Sequence, residues 1–238
     1  MIQLTGRSLF HVHTFRCGHA ENVPDEAYIT KAVSMRADSI WFTDHAPFPG
    51  DLFGNRMRYS ELEEYLNTLS GLKNKYADQI AVHAGLEAEY FPSFDQEGYY
   101  AKLIADPRIE LLMLGQHMAE EDKNPGKYSF SWNPERKREE EHGILGKAII
   151  QGIRSGCFGA VAHPDRIFRR RREWTVEMER LSREMIAAAV ERSIPLERNM
   201  ESMHNKWYYW PQFWKIAEEM GAQIIFGLDA HAVKALEI

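Results

Sequence analysis

Residues 9–20 read LFHVHTFRCGHA, a short apolar run that delivers His11 and His13 and then a loop carrying His19. On an extended strand, positions i and i+2 point to the same side, so His11 and His13 aim two imidazoles at a common point. That is the geometry of a metal site. An isolated His-x-His is also a short and common pattern, whose plain reading is one packed histidine and one solvated one. The rest of the chain has to decide.

Working outward, the same kind of ending recurs. SIWFTDH (39–45) is a second apolar strand that ends in His45, and QIAVHAGLEAEYF (79–91) is a third that carries Glu87. ELLMLGQHM (110–118) delivers His117, CFGAVAHPD (157–165) delivers His163, SIPLERNMES (193–202) forms a sixth strand, and AQIIFGLDAH (222–231) delivers Asp229 and His231. Amphipathic stretches lie between them. Pro24 with Asp25 and Glu26 opens a helix over about 24–36, acids in a first turn suiting the helix dipole. Ser60 as N-cap, Glu63 at the capping-box position, and Leu62, Leu66 and Leu69 at helical spacing predict a helix from residue 60. Shorter periodicity predicts one over about 95–105. Pro134 opens a long charged helix to about 155. Met178, Leu181, Met185, Ile186 and Ala189 line one side of a helix over about 175–192. PQFWKIAEEMGA (211–222) is opened by Pro211 and stopped near Gly221. Asn124, Pro125 and Gly126 mark a polar loop.

Seven strands alternating with helices predict a parallel sheet, closed as a barrel or open and doubly wound. In both, the site lies at the carboxyl ends of the strands, but a barrel gathers residues from all of them whereas an open sheet concentrates them at one switch point. Here metal-ligand types end nearly every strand, which fits a closed α/β barrel in one domain over residues 1–238. Of ten histidines, seven (11, 13, 19, 45, 117, 163 and 231) sit at or just past these ends. Imidazole with carboxylate suits zinc, iron or manganese, and no cysteine cluster suggests a structural zinc site. Nine candidate ligands are too many for one metal; two or three ions are expected, with Glu87 able to bridge a pair.

Composition excludes other classes. A formal charge of −6 argues against bulk binding to nucleic acid. No apolar run approaches the roughly 20 residues of a membrane span. Two cysteines, Cys17 and Cys157, do not make a disulfide framework, so a soluble cytoplasmic protein is expected.

HVHTFRCGHA, TDHAPF, GLEAEYFP, GQHM, AHPD and GLDAH, in this order at the strand ends, resemble the motifs of the PHP (polymerase and histidinol phosphatase) family. CGHA after HxHT, GLEAEY and the NRMR loop at 55–58 resemble its histidinol-phosphate phosphatase branch. The resemblance runs from residue 9 to residue 231. It implies a distorted seven-stranded (β/α) barrel with a trinuclear centre at its carboxyl face. His11, His13, Glu87 and Asp229 would hold one metal, Glu87, His117 and His163 a second, and His19, His45 and His231 a third. The implied chemistry is attack on a phosphate monoester by a metal-bridging hydroxide held by Glu87, His117, His163, His11, His13 and Asp229. No side chain is assigned as general acid.

The expected function is therefore metal-dependent hydrolysis of histidinol phosphate in histidine biosynthesis, with a small phosphorylated substrate and inorganic phosphate as the partners. Alternatives are a PHP phosphatase or phosphodiesterase for another metabolite or nucleotide, a metal-dependent amidohydrolase, and a non-catalytic metal-binding module. The amidohydrolase typically needs a bridging lysine, and no lysine lies on a predicted strand end.

Phosphate also calls for arginine's bidentate fork. Arg56 and Arg166 are placed to reach the metal face, with a surface salt bridge as the competing reading for Arg56. Arg169 to Arg172 read as a solvated helix start. His83, four residues before Glu87, reads as a core histidine towards the closed end of the barrel. The run ERKREEEH with His142 reads as an exposed helix face. His204 and Asn205 could line the pocket, and the aromatics at 207–214 read as packing. Cys17 reads as a small buried residue rather than a ligand. Asp44 and Asp165 are candidates for orienting metal-bound imidazoles. Two features depart from the family pattern: Arg198 stands where a strand expects an apolar residue, and only seven residues follow His231.

Overall fold

The computed structural model of the chain describes residues 2–206 and 208–237. Seven parallel strands alternate with helices: β1 Ser8–Val12, β2 Ser39–His45, β3 Ala81–Ala88, β4 Leu111–Leu114, β7 Ala160–Val161, β8 Leu196–Asn199 and β9 Ile224–Gly227. They lie side by side in chain order. The helices are α1 Asp25–Ser34, α2 Leu62–Lys75, α3 Pro92–Gln96, α4 Tyr99–Ile104, α5 Pro134–Ser155, α6 Val176–Arg192, α7 Met200–Asn205 and α8 Pro211–Glu219. The expected elements are present, β2 and α5 with the expected bounds and the others shorter; Met200 to Ser202, expected at the end of the sixth strand, open α7 instead. The stretch expected as one helix over 95–105 is two, with Gly98 between them in the left-handed conformation at φ 73°. The polar loop at 124–126 belongs to an antiparallel hairpin, β5 Glu120–Glu121 and β6 Asn124–Tyr128. Among the described residues, no helix is long and apolar enough to cross a membrane.

The sheet closes although, among the described residues, only the 3-10 turn Val233–Glu237 follows β9. Leu228 N–H donates to the Phe10 carbonyl at 2.8 Å, Ala230 N–H to that of His11 at 3.0 Å, and His13 N–H to that of Ala230 at 2.9 Å. Backbone pairing beyond β9 therefore joins the last strand to the first. Leu236, in the 3-10 turn Val233–Glu237, is buried in the outer core.

Two apolar layers result. Outside the barrel, Leu9, Val12, Ile40 and Phe42 pack under the helices with Leu66, Leu69, Leu145, Met185 and Phe213. Inside, Phe10, Trp41, Leu111, Met113, Ala160 and Ala162 fill the floor, at the amino ends of the strands. His83 stands beside that floor, half-buried, stacked on Trp41 with 3.9 Å between ring centroids and with Nδ1 2.8 Å from Glu110. Arg198 points outward, where its guanidinium lies 5.0 Å from the Trp214 ring and pairs with Glu218 at 2.6 Å. The aliphatic stem covers apolar surface and the charge stays at the edge, so the residue fits a strand's outer face.

The charged face of α5 corrects the sequence reading. Glu141 and His142 are buried, not solvated. The segment after β7 folds back on the helix, so that Arg169 and Arg170 reach the Glu141 carboxylate at 3.2 and 2.8 Å, and the Phe168 ring lies 6.1 Å from that of His142. Arg169 is thus an internal tie and not part of a solvated helix start. Trp207, counted with the packing aromatics, lies outside the described residues; Trp210 and Trp214 do pack, and both donate N–H bonds to Asp165.

Candidate metal centre

His11 and His13 converge, with 4.9 Å between ring centroids, but not by simple alternation. Leu9 pairs with Ile40 and Val12 with Phe42, so two residues of β1 oppose Trp41 alone, and His11 takes φ 68°. This is a bulge. Regular alternation with Phe10 on the floor would turn His11 and His13 outward; the extra residue lets Phe10, His11 and His13 all face in. The left-handed backbone of a non-glycine residue costs on the order of 1–3 kcal/mol and tends to mark functional sites. His163 at φ 30° and Asp229 at φ 54° share that conformation.

Glu87 is the hub. The register of β2 with β3 sets His45 directly beside it. Its Oε2 lies 3.0 Å from His45 Nδ1, 3.4 Å from His11 Nε2 and 3.5 Å from His13 Nε2; its Oε1 lies 3.0 Å from His163 Nε2 and 3.7 Å from His117 Nε2. Asp229 Oδ1 stands 3.3 Å from His13 Nε2 and 3.7 Å from His11 Nε2. His231 stacks on His13 at 4.2 Å, and His19 lies 4.5 Å from His231 and 5.5 Å from His45 between centroids. All nine residues singled out from the sequence meet in one cluster. Space for the hub comes from Gly115, where a Cβ would sit 1.9 Å from Glu87 Oε1.

The charges are strongly coupled. Burial opposes ionisation of Glu87, but the imidazoles of His45, His117 and His11 hold it well below the usual carboxylate range. Asp229 is likewise held down against burial, first by Arg166 and then by His11. Burial and the neighbouring His231 and His45 hold His13 neutral, and burial followed by Arg166 lowers His163 to about 3. His11, by contrast, is raised well above the ordinary imidazole value, against burial, by Glu197 and Asp229, so a metal there would displace its proton.

The donor atoms fit metals better than they fit one another. Both oxygens of Glu87, both nitrogens of His13, and Nε2 of His11, His163 and His231 are buried without a hydrogen-bond partner among the described residues. Such orphans ordinarily cost about 1–3 kcal/mol each. Mutually close donors form five overlapping groups: His11, His13 and Asp229; His11, Glu87 and His163; His45, Glu87 and His117; His13, His45 and His231; and Cys17, His19 and His231. The first holds three of the four donors expected for one metal; His163 groups with His11 and Glu87 rather than with His117, His19 groups with His231 but not with His45, and His45 stands with Glu87 and His117 as well as with His231.

Two supporting carboxylates escaped the sequence reading. Glu197 is fully buried, with Oε1 2.6 Å from His11 Nδ1 and Oε2 accepting the His163 N–H at 3.0 Å. It occupies space that a Cβ on Gly227 would fill, 1.6 Å from Oε1. Glu89 has Oε1 3.4 Å from His117 Nδ1. These two, rather than Asp44 and Asp165, stand close to a ring nitrogen of a proposed ligand. Asp44 accepts the N–H and hydroxyl of Thr14 at 2.7 and 2.6 Å and fixes the turn after β1; its nearest oxygen is 3.9 Å from His13 Nδ1. Asp165 is committed to the two tryptophans. Burial pushes both carboxyls up to about 6.

The arginines divide. Arg56 lies behind the cluster and not on the surface, its fork closed on Glu89 at 2.9 and 3.1 Å between the rings of Phe48 and Phe53. Arg166 donates to Asp229 at 2.8 Å and Ser202 at 3.1 Å, and its buried Nε has no partner among the described residues. His204 and Asn205, on α7, are exposed, and Asn205 lines a cavity of about 210 Å³ with Arg166, Glu201, Ser202 and Tyr208.

A PHP domain profile matches residues 10–201. The chain is 36% identical over 93 residues to the histidinol-phosphatase of Bacillus subtilis, covering 37% of this chain and 35% of that relative. It is 31% identical over 170 residues to a candidate histidinol-phosphatase of Deinococcus radiodurans, covering 68% of this chain and 62% of that protein. These matches thus span about a third and three fifths of the curated relatives' lengths. A candidate histidinol phosphatase of Listeria monocytogenes shares the fold at a TM-score of 0.77 and 18% identity over 96% of both chains. So does the histidinol phosphate phosphatase of Lactococcus lactis, solved with zinc, L-histidinol and phosphate, at 0.71 and 17% over 97% of this chain and 90% of that one. With a profile match over most of the sequence, from β1 into α7, and a donor cluster at the mouth of the barrel, the chain belongs to the PHP domain family.

Proposed function

We propose that the chain is a metal-dependent phosphomonoester hydrolase whose substrate is histidinol phosphate, yielding histidinol and phosphate. The observation that carries this is the set of orphaned, mutually close donors around Glu87 at the carboxyl ends of the strands. Both curated relatives are named for this activity, and the Lactococcus lactis structure holds zinc, the alcohol and phosphate. His11, His13, His19, His45, Glu87, His117, His163, Asp229 and His231 would hold two or three divalent ions, with zinc, iron and manganese all compatible with the donors. Such ions neutralise phosphoryl oxygens and acidify water near neutral pH.

The chain's own residues supply the rest. Glu197 accepts a hydrogen bond from Nδ1–H of His11, which keeps that proton on Nδ1 and leaves Nε2 as the metal-donor nitrogen, and Glu89, held by Arg56, stands 3.4 Å from His117 Nδ1 to do the same there. Arg166 restrains Asp229 and offers its free Nε to a phosphoryl oxygen. The test is metal analysis of the purified protein with phosphate release from histidinol phosphate, a generic aryl phosphate and a dinucleotide. Bound metal with fastest release from histidinol phosphate is expected. No metal, or metal with no release from any ester, overturns the proposal, and release from the dinucleotide alone makes the chain a phosphodiesterase.

A further inference from the structure

The third group of donors includes a sulfur. Cys17 closes the 3-10 turn Phe15–Cys17, is wholly buried, and has its sulfur within 4.8 Å of donor atoms of both His19 and His231. Cys17 is a buried core residue that joins neither apolar cluster, whereas the half-buried Cys157 packs against the larger one. Both histidines already commit one nitrogen to the main chain. His19 Nδ1 lies 3.0 Å from the Cys17 carbonyl oxygen and His231 Nδ1 lies 2.9 Å from that of Asp229. Each is left with Nε2 as its donor, and that of His231 is buried without a partner among the described residues. His13, wholly buried with neither nitrogen partnered, stacks on His231.

We propose that Cys17 is a thiolate ligand of the third metal, together with His19 and His231. The inference rests on the metal-centre reading above. On binding, the S–H proton leaves to solvent as the sulfur–metal bond forms. Bonds of about 2.3 Å to sulfur and about 2.1 Å to nitrogen place the donors of a tetrahedral ion about 3.6 Å apart. The present spacing needs a contraction of at most about 1 Å, and the exposed His19 on its loop can supply its share of it. A soft sulfur donor distinguishes this site from the nitrogen and oxygen sites around Glu87 and biases it towards zinc over manganese.

Cobalt(II) is the probe. The chelated wild-type protein is titrated with cobalt(II) while near-ultraviolet absorption and bound metal are followed. A sulfur-to-cobalt charge-transfer band is expected, and it persists in Cys157→Ser; since the chain has two cysteines, this alone assigns the band to Cys17 even if a Cys17 variant folds poorly. Cys17→Ser should lose the band and one equivalent of metal to a chelator. Cobalt bound without the band, or a band lost in Cys157→Ser, overturns the assignment while leaving the metal centre standing. No bound cobalt at all overturns both.

Discussion

The two ends of the barrel treat the same side chains in opposite ways. At the floor, His83 is complete: its ring is stacked on Trp41 and its Nδ1 meets Glu110, a carboxyl held down at about 2 against burial by His83 and Lys73. At the mouth, four residues later on the same strand, Glu87 has both oxygens buried and unpartnered among the described residues, amid five imidazoles. The floor uses regular backbone; the mouth holds His11, His163 and Asp229 at positive φ. Polar groups that satisfy one another belong to the fold, whereas groups held close, strained and unsatisfied are set up for something that arrives later.

Several substitutions sharpen or break that contrast. The largest effect is expected from Gly115→Ala, whose new methyl displaces Glu87; metal content and phosphate release should both collapse, activity falling by about a thousandfold or more as charge stabilisation by the metals is lost. Glu197→Gln keeps the shape but removes the acceptor charge behind His11, and metal affinity or activity measured by titration should fall by about 10- to 100-fold. His19→Ala should lower metal stoichiometry by one without unfolding the protein, read by metal analysis beside circular dichroism; equal metal content would show the centre drawn one metal too large. At the floor, His83→Ala should cost about 1 kcal/mol in denaturant unfolding through lost stacking and one hydrogen bond, with metal content unchanged. Lost metal in that variant would break the comparison.

Much of the site was legible because it lies on the strand ends, where a histidine or carboxylate interrupts an apolar run that packing alone would continue. His45, Glu87, His117, His163 and Asp229 are of that kind. The bulge at His11 was not legible: alternation predicts that His11 and His13 share a face, and only the register against β2 shows which face. Glu197 was hidden in LERN beside Arg198, since a strand with consecutive charges does not declare which one faces in; Gly227 on the neighbouring strand, which makes its room, is the complementary signal. Glu89 did leave a trace, standing two residues after Glu87 and hence on the same side. Glu141 and His142 were misread because the loop that covers them comes from residues 165–173, far along the chain, and local charge pattern cannot anticipate it.

The central claim, that the mouth is built to be completed by metals, is tested most directly by anomalous diffraction at a metal edge from crystals of the metal-loaded protein. Peaks about 2 Å from Glu87 are expected, one shared with His11, His13 and Asp229 and another with His117 and His163. Peaks confined to the protein surface, or none within the cluster, would contradict the account.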